Sequence, residues 1–121
     1  MAALPHAGAG AGTPLLVGFS DVAPEFMPGA GAAMTQLGAG AVRFTLAWSP
    51  GTTTFGGADK AALEAGIADA SGLRVVLAVY GSTAAAAPAT QAARSEYCAY
   101  VADVVRQEPR VRDVVIWNEP N

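Results

Sequence analysis

The chain has 121 residues, of which 52% are apolar and 14% are charged, a composition typical of one globular domain and not of a disordered segment. Its seven basic and ten acidic residues form no cluster of either sign, which excludes the basic patch that a nucleic-acid-binding surface needs. No apolar run reaches the roughly 18 residues of a membrane span.

The first 14 residues are rich in Ala and Gly and lack both the basic start and the apolar core of a signal peptide. We therefore expect residues 1–14 to be a flexible tail and residues 15–121 to be the domain. The sequence does not indicate a cellular compartment.

The first apolar run, Leu15–Ser20, has the length and composition of a buried strand. After it, Gly29–Leu37 is a weak helix candidate, because Met34 and Leu37 are three residues apart and Gly38 follows. The sequence thus begins with a strand and a short helix.

The second predicted strand is Ala41–Trp48. Beyond it, Asp59 is a plausible N-cap of a helix that carries Leu63, Ile67 and Ala70 on one face. Gly72 stands where a C′ glycine would end that helix.

The third predicted strand, Arg74–Tyr80, leads through a loop at Ala84–Ala87 into a helix around Arg94–Gln107. The apolar face of this helix contains Tyr97, Val101, Val104 and Val105, and the neighbouring Cys98 is interpreted as a small buried residue. A fourth strand follows at Val114–Asn118.

Strands and helices therefore alternate, which predicts an α/β fold with a parallel sheet and right-handed crossovers. A dinucleotide site is disfavoured, because the glycine series Gly29-x-Gly31 has Met34 in place of its last glycine. The only cysteine, Cys98, and the only histidine, His6, cannot supply a structural zinc site or a Ser-His-Asp triad. Chemistry must then rest on carboxylates, arginine, aromatic side chains and amides, with no metal or organic cofactor expected.

The end of the chain carries the most specific motif, Trp117-Asn118-Glu119-Pro120-Asn121. A Glu that ends a buried parallel strand is costly unless it faces the open mouth of a sheet or barrel, which is where active sites lie. The flanking Asn118 offers an amide to a sugar hydroxyl, and Pro120 ends the strand. The motif favours a catalytic Glu119 over its alternative, a strand-terminating turn.

With this motif on a fourth strand, the sequence resembles clan A of the glycoside hydrolases, most closely the cellulase-type family 5 and the related family 39. The resemblance implies a TIM barrel in which Glu119 is the general acid/base and Asn118 binds substrate. It also implies substrate contacts for Arg43 on the second strand and Trp48 at its end. Tyr80, at the position where family 5 commonly has His, is a further substrate-binding candidate.

The clan's nucleophile is a second Glu on the seventh strand, whereas these residues reach only the fourth. We therefore expect a (β/α)₄ half of the (β/α)₈ barrel that is inactive by itself. The other acids at the same end, Asp21 and Glu25, follow the first strand, which does not neighbour the fourth in a barrel. The function implied is retaining hydrolysis of a β-linked poly- or oligosaccharide. The alternative is a non-catalytic carbohydrate-binding or dimeric half-barrel, and exposed strand edges predict self-association in either case.

Overall fold

A computed structural model describes residues 15–24 and 28–117, without the side chain of Asp21. Four strands and three α-helices alternate along the described chain. In order they are β1 (Gly18–Val22), α1 (Ala30–Gln36), β2 (Ala41–Ala47), α2 (Gly57–Asp69), β3 (Arg74–Tyr80), α3 (Gln91–Gln107) and β4 (Asp113–Ile116).

The four strands form one parallel sheet in the order β1-β2-β3-β4, as the alternating pattern predicted. The pairing of β2 with β3 is continuous from Ala41↔Arg74 to Ala47↔Tyr80. The prediction of an α/β class with a parallel sheet is confirmed.

Alternating burial along β2 explains which side of the sheet the helices cover. Val42, Phe44 and Leu46 are buried, and the residues between them are only half-buried or exposed. The buried side chains join a core cluster to which all three helices contribute, through Met34, Leu63 and Tyr97 among others. The helices therefore lie on one face of the sheet, which we call the helix face, and the opposite face is called the open face.

β1 begins three residues later than predicted. Leu15, Leu16 and Val17 precede it and are exposed, so their apolar character does not mark a buried strand. Pairing with β2 starts at Gly18, where a Cβ atom would collide with the Ala41 carbonyl oxygen. Close backbone approach at a glycine, rather than side-chain burial, fixes the start of β1.

α1 takes its N-terminal cap from another helix. The Asp69 carboxylate, at the end of α2, accepts hydrogen bonds from the Gly29 N–H at 3.0 Å and the Gly31 N–H at 2.8 Å. These backbone donors lower the pKa of Asp69. The N-cap residue of α1 is Gly29, which has no side chain to perform this role itself.

α2 begins at Gly57 with Gly56 as N-cap, so the prediction of Asp59 as N-cap was wrong. Gly57 has φ 62, a conformation that glycine adopts without strain, and it lets the chain enter the helix without a side-chain cap. Asp59 instead lies in the first turn, where its charge is favourable to the helix dipole. The C-cap is Ala70, so the C′ residue is Ser71, and Gly72, which was predicted as C′, lies one position beyond it.

α3 starts at Gln91, and the Thr90 side chain accepts a hydrogen bond from the Ala93 N–H at 3.1 Å. Tyr97, Val101 and Val104 are buried as predicted, but Val105 and Cys98 are exposed because the buried stripe runs through Tyr100 and Asp103 instead. Among the described residues, no helix is long and apolar enough to cross a membrane.

Candidate functional site

The carboxyl ends of β2, β3 and β4 meet at one end of the sheet. The register pairs Ala47 with Tyr80 and Val79 with Ile116, so the last residues of these strands are neighbours. In α/β folds this end is where substrates bind, because the loops that follow the strands surround it. We call it the carboxyl end of the sheet and the opposite one the amino end.

The two residues predicted to carry the chemistry, Asn118 and Glu119, lie outside the described residues, as does Glu25. The described chain reaches Trp117, which directly follows β4 at the carboxyl end. Trp117 is therefore the last described residue before the predicted acid/base.

Arg43 and Tyr80 share the open face. Arg43 alternates with the buried Val42 and Phe44, and Tyr80 pairs in register with Ala47, which has the same phase as Arg43. The two residues are not at the same height, because Arg43 is four residues before Ala47, a rise of about 13 Å along the strand. Arg43 is thus in the body of the sheet and Tyr80 is at its carboxyl end.

A pocket of about 320 Å³ opens at the carboxyl end between β2, β3, the segment after β1 and the start of α2. Thr45, Asp59 and Tyr80 give it three polar side chains, and the Thr45 and Tyr80 hydroxyl oxygens are 3.5 Å apart. Pro24 and Ala62 contribute apolar surface. Apolar walls with a few convergent polar groups are typical of small-molecule sites.

Trp48 corrects the sequence interpretation. Its side chain is only 1% exposed, and its indole Nε1–H donates to the Thr52 carbonyl oxygen at 2.9 Å. The ring lies in the core on the helix face because Trp48 continues the phase of Val42, Phe44 and Leu46. In this position the ring has no exposed face on which a sugar could stack.

Three aromatic side chains form a cluster beneath the carboxyl end. Trp48 lies 5.3 Å from Tyr97 and 6.4 Å from Trp117, and the Tyr97 and Trp117 rings are 5.7 Å apart, all measured between ring centroids. Every pair is edge-to-face, an arrangement that aromatic quadrupoles favour. We call Trp48, Tyr97 and Trp117 the aromatic cluster.

The buried Asp103 ties the loop between β2 and α2 to α3. Its carboxylate accepts the Phe55 N–H at 2.7 Å and the Gln107 Nε2–H at 2.9 Å, and it also pairs with Arg106. The Phe55 backbone donor is the main reason that the pKa of Asp103 is lowered, against the effect of its burial. This loop follows β2 and borders the carboxyl end, so the hydrogen bond of Asp103 holds a loop that lies next to the candidate site.

A larger pocket of about 550 Å³ lies at the amino end, and its lining includes Arg74, Arg110, Arg112 and Asp113. Arg74 is bound to Asp113 through two hydrogen bonds of 2.7 and 2.6 Å. Arg110 donates to the carbonyl oxygens of Ile67 and Ala70 at the end of α2. These contacts join the starts of β3 and β4 to the end of α2, and in β/α folds this end usually serves stability.

Within the described ranges, no group of three or more His, Cys, Asp or Glu residues is placed to hold a metal ion. No model of a known protein family, no curated protein and no solved structure matches the chain.

Sequence reasoning missed four residues at this end. Thr45 and Asp59 line the pocket, and Tyr97 and Trp117 form the aromatic cluster with Trp48. Thr45 could have been found, because it alternates in phase with Arg43 along β2. No local signal in the sequence identifies the meeting of Tyr97 with Trp117, since they are 20 residues apart.

Proposed function

We propose that this chain is the acid/base-bearing half of a retaining glycoside hydrolase barrel, with Glu119 as the general acid/base. The observation that carries the proposal is that β4 is the fourth strand of a parallel sheet and ends at Ile116, and that the Asn118-Glu119-Pro120 motif follows in the sequence after Trp117. A glycosidic oxygen bound there would meet a carboxyl group on the loop side of the sheet, where barrel enzymes hold their reacting groups.

The strand order and the position of the helices favour a half-barrel over a doubly wound sheet, the other common α/β architecture. A doubly wound sheet reverses its strand order and covers both faces with helices. Here the order is sequential and all three helices share one core on the helix face. Four further strands could close such a sheet around the open face, where Arg43, Thr45 and Tyr80 would then be interior residues.

Each candidate residue has a role in the proposed reaction. Glu119 would first protonate the leaving glycosidic oxygen and then, as a carboxylate, remove a proton from the attacking water. The carboxylate that forms the glycosyl-enzyme bond must stand about 5–5.5 Å from it and is not supplied by these strands. The resemblance assigns the contact with that nucleophile to Arg43, which is on the open face about 13 Å before the end of β2. Asn118 and Tyr80 would bind sugar hydroxyls.

The leaving-group dependence of hydrolysis tests the acid role. In a protein that joins this chain to a half carrying the nucleophile, Glu119→Gln should slow aryl β-glycosides with poor leaving groups by about 10²–10⁴-fold, because their departure needs protonation. Substrates with a dinitrophenolate leaving group need no acid to depart, so their glycosylation step should slow much less. A Glu96→Gln variant is the matched control, since Glu96 is on α3 and binds the Gly51 N–H.

Two outcomes would contradict this role: an equal effect of Glu119→Gln on both kinds of substrate, or no effect on either. The 121 residues expressed alone should hydrolyse aryl β-glycosides no faster than their Glu119→Gln variant, because the second carboxylate is missing. A Glu119-dependent rate from this chain would overturn the half-barrel assignment and direct attention to Asp21 or Glu25.

The pocket at the carboxyl end favours a second candidate, non-catalytic carbohydrate binding. Thr45, Asp59 and Tyr80 offer hydroxyl and carboxylate groups that can bind a sugar without any reaction. In that case β-linked oligosaccharides should bind the chain with unchanged affinity in Glu119→Gln and more weakly in Tyr80→Ala. Isothermal titration of the two variants, with the hydrolysis assay above, separates the two functions.

We also propose that the 121 residues expressed alone self-associate through their edge strands. Beside β1, Leu15 is 89% and Val17 is 61% exposed, and Ile116 of β4 is 62% exposed. Unpaired apolar edges are templates for association, and a charge placed on them opposes it. Light scattering should detect dimers or larger species that Ile116→Lys reduces, and a monodisperse wild-type monomer would contradict the proposal.

A further inference from the structure

Three arginines meet in the pocket at the amino end of the sheet. The seven basic residues of the chain are not clustered along the sequence, but Arg74, Arg110 and Arg112 all line this pocket. They come from the start of β3 and from the turn before β4, which lie side by side because these two strands are paired. Asp113 is the only acidic residue among the described residues of the lining. In a chain with a formal charge of −3, this pocket is a local excess of positive charge.

The one carboxylate of the lining is already bonded to a guanidinium group. Arg74 donates from Nε to Oδ2 of Asp113 at 2.7 Å and from Nη2 to Oδ1 at 2.6 Å, so both carboxylate oxygens are occupied. This pair is neutral as a whole. The charges of Arg110 and Arg112 form no ion pair with any described carboxylate.

Arg110 is held in place by the end of α2. Its Nη1 donates to the Ile67 carbonyl oxygen, and its Nη2 donates to the Ala70 carbonyl oxygen at 3.0 Å. A guanidinium group has five N–H donors, so these bonds leave others for a ligand. Because one cation of the pocket is fixed before a ligand arrives, binding loses less side-chain entropy.

Arg112 is the unpaired cation of the pocket. Its side chain is exposed and forms no hydrogen bond or ion pair with another described residue. Leu73 and Val75, which are only 5% and 2% exposed, give the same pocket an apolar wall. An apolar wall screens charges less than water does, so it strengthens the attraction of an anion to the two arginines.

We propose that this pocket binds a doubly charged oxyanion, either inorganic phosphate or the phosphoryl group of a small phosphomonoester, with Arg112 and Arg110 as its principal ligands. Planar guanidinium groups bind phosphate oxygens through paired hydrogen bonds. A phosphomonoester carries a charge of about −1.5 to −2 at pH 7, which matches two arginines without a carboxylate partner, whereas a carboxylate ligand would neutralise only one. The volume of about 550 Å³ is typical of small-molecule sites and leaves room for an organic group. This site does not depend on the hydrolysis proposed for the carboxyl end.

Isothermal titration of the 121-residue chain tests the site with inorganic phosphate and with phenyl phosphate, in a low-salt buffer without other oxyanions. We expect saturable binding of both, and much weaker binding of benzoate, which has the same ring but a single charge. Tighter binding of phenyl phosphate would identify the phosphomonoester as the preferred source of the anion. Tighter binding of inorganic phosphate would identify the free ion.

Arg112→Gln should weaken phosphate binding by about tenfold or more, because a hydrogen bond to a charged group contributes at least the free energy of one decade in affinity. The variant should keep its fold, since Arg112 has no partner among the described residues. Arg94→Gln is the matched control. It removes the same charge from an exposed arginine in the first turn of α3, outside the pocket, and should bind phosphate as tightly as the wild type.

Asp113→Asn tests the site with a change of opposite sign. It removes the carboxylate from the lining and releases Arg74 from its ion pair, so phosphate should bind several-fold more tightly. Partial unfolding would weaken binding, so a gain in affinity does not arise from a damaged fold.

Any of four results would overturn the inference: no saturable binding of either phosphate probe, benzoate binding as tight as that of phenyl phosphate, equal losses in Arg112→Gln and Arg94→Gln, or no gain in Asp113→Asn. The hydrolysis assays test the proposed function separately. Failure of one set of experiments leaves the other unaffected.

Discussion

The two ends of the sheet are stabilised by different chemistry. At the amino end, Arg74 and Asp113 neutralise each other, and Arg110 donates to carbonyl oxygens at the end of α2. At the carboxyl end, the rings of the aromatic cluster and the hydrogen bond of the Tyr97 hydroxyl form a buried layer beneath the strand ends. Charged side chains stabilise the amino end, and packed aromatic rings stabilise the carboxyl end.

This difference leaves more polar side chains on the open face at the carboxyl end than a layer of paired charges would. At the amino end, Arg74 is paired with Asp113. At the carboxyl end the polar side chains of Thr45 and Tyr80 remain on the open face while rigid rings fix the backbone below them. A side chain is held accurately only by neighbours that are themselves fixed, and the aromatic cluster gives the carboxyl end such neighbours.

The largest expected effect is at the carboxyl end, in Trp48→Ala. Because the ring is 1% exposed and contacts both other members of the aromatic cluster, its removal should lower the free energy of unfolding by about 3–5 kcal/mol. Urea unfolding followed by circular dichroism measures this loss. Val105→Ala, at a side chain on α3 that is 37% exposed, should change stability far less. Equal losses in the two variants would contradict the role given to the cluster.

Asp103→Asn should have the next largest effect, because it weakens the anchor of the loop between β2 and α2. The pKa of Asp103 is lowered in the folded state, so its carboxylate stabilises the fold above about pH 4 and this contribution is lost as the pH falls through the lowered pKa. The variant should therefore melt several degrees below the wild type at pH 7, and the difference should shrink toward pH 2. Glu64→Gln, at a more exposed side chain, is the control. A difference that does not depend on pH would exclude the carboxylate as its source.

Glu108→Gln should stabilise the fold, because it removes the charge of a buried carboxylate. Glu108 is the C-cap of α3 and directly precedes Pro109, which lines the pocket at the amino end. Its side chain is buried, and its Oε1 atom has no hydrogen-bond partner within the described part of the chain. Burial, and then the charge of Glu64, raise its pKa. The raised pKa means that stability is lost as the pH rises from about 4 through the folded value. The variant should melt above the wild type at pH 7 and equal to it below about pH 4, which thermal melts across this range will measure.

Arg74→Ala should have the smallest effect. The ion pair with Asp113 has good geometry, but the Arg74 side chain is 59% exposed and solvent screens it. A small fall in melting temperature should appear at low salt and vanish near 1 M NaCl, where the Debye length is roughly 3 Å. A large, salt-independent fall would mean that the amino end depends on this pair as much as the carboxyl end depends on its rings.

The sequence predicted the fold well wherever burial determined it. β3 was predicted with its observed bounds, because an uninterrupted apolar run between a turn and a glycine has few other interpretations. β1 was misplaced, because glycine contact with β2 and not apolar character determines where it starts.

At the candidate site the sequence was less informative. The phase of Trp48 with Val42, Phe44 and Leu46 already indicated the core, but its place at a strand end suggested the cleft. The left-handed backbone conformation of Trp117, with φ 62, could not be predicted, since it arises from contacts with Tyr97 and Gly81, which are distant in sequence. Sequence patterns indicate which face of a strand or helix a residue occupies, whereas a site is formed by contacts between residues that are far apart in the chain.

The cap that Asp69 places on α1 has a consequence for the order of folding. A helix of seven residues does not form by itself in water, and the two backbone donors at its start are satisfied by a carboxylate from the end of α2. α1 should therefore be the last of the helices to become ordered and the first to open, and its opening should become easier as acid protonates Asp69. The helix of the first β-to-β crossover, α1, is capped by the end of α2, the helix of the second crossover. A nascent chain would therefore acquire a stable α1 only after residue 69 has been synthesised.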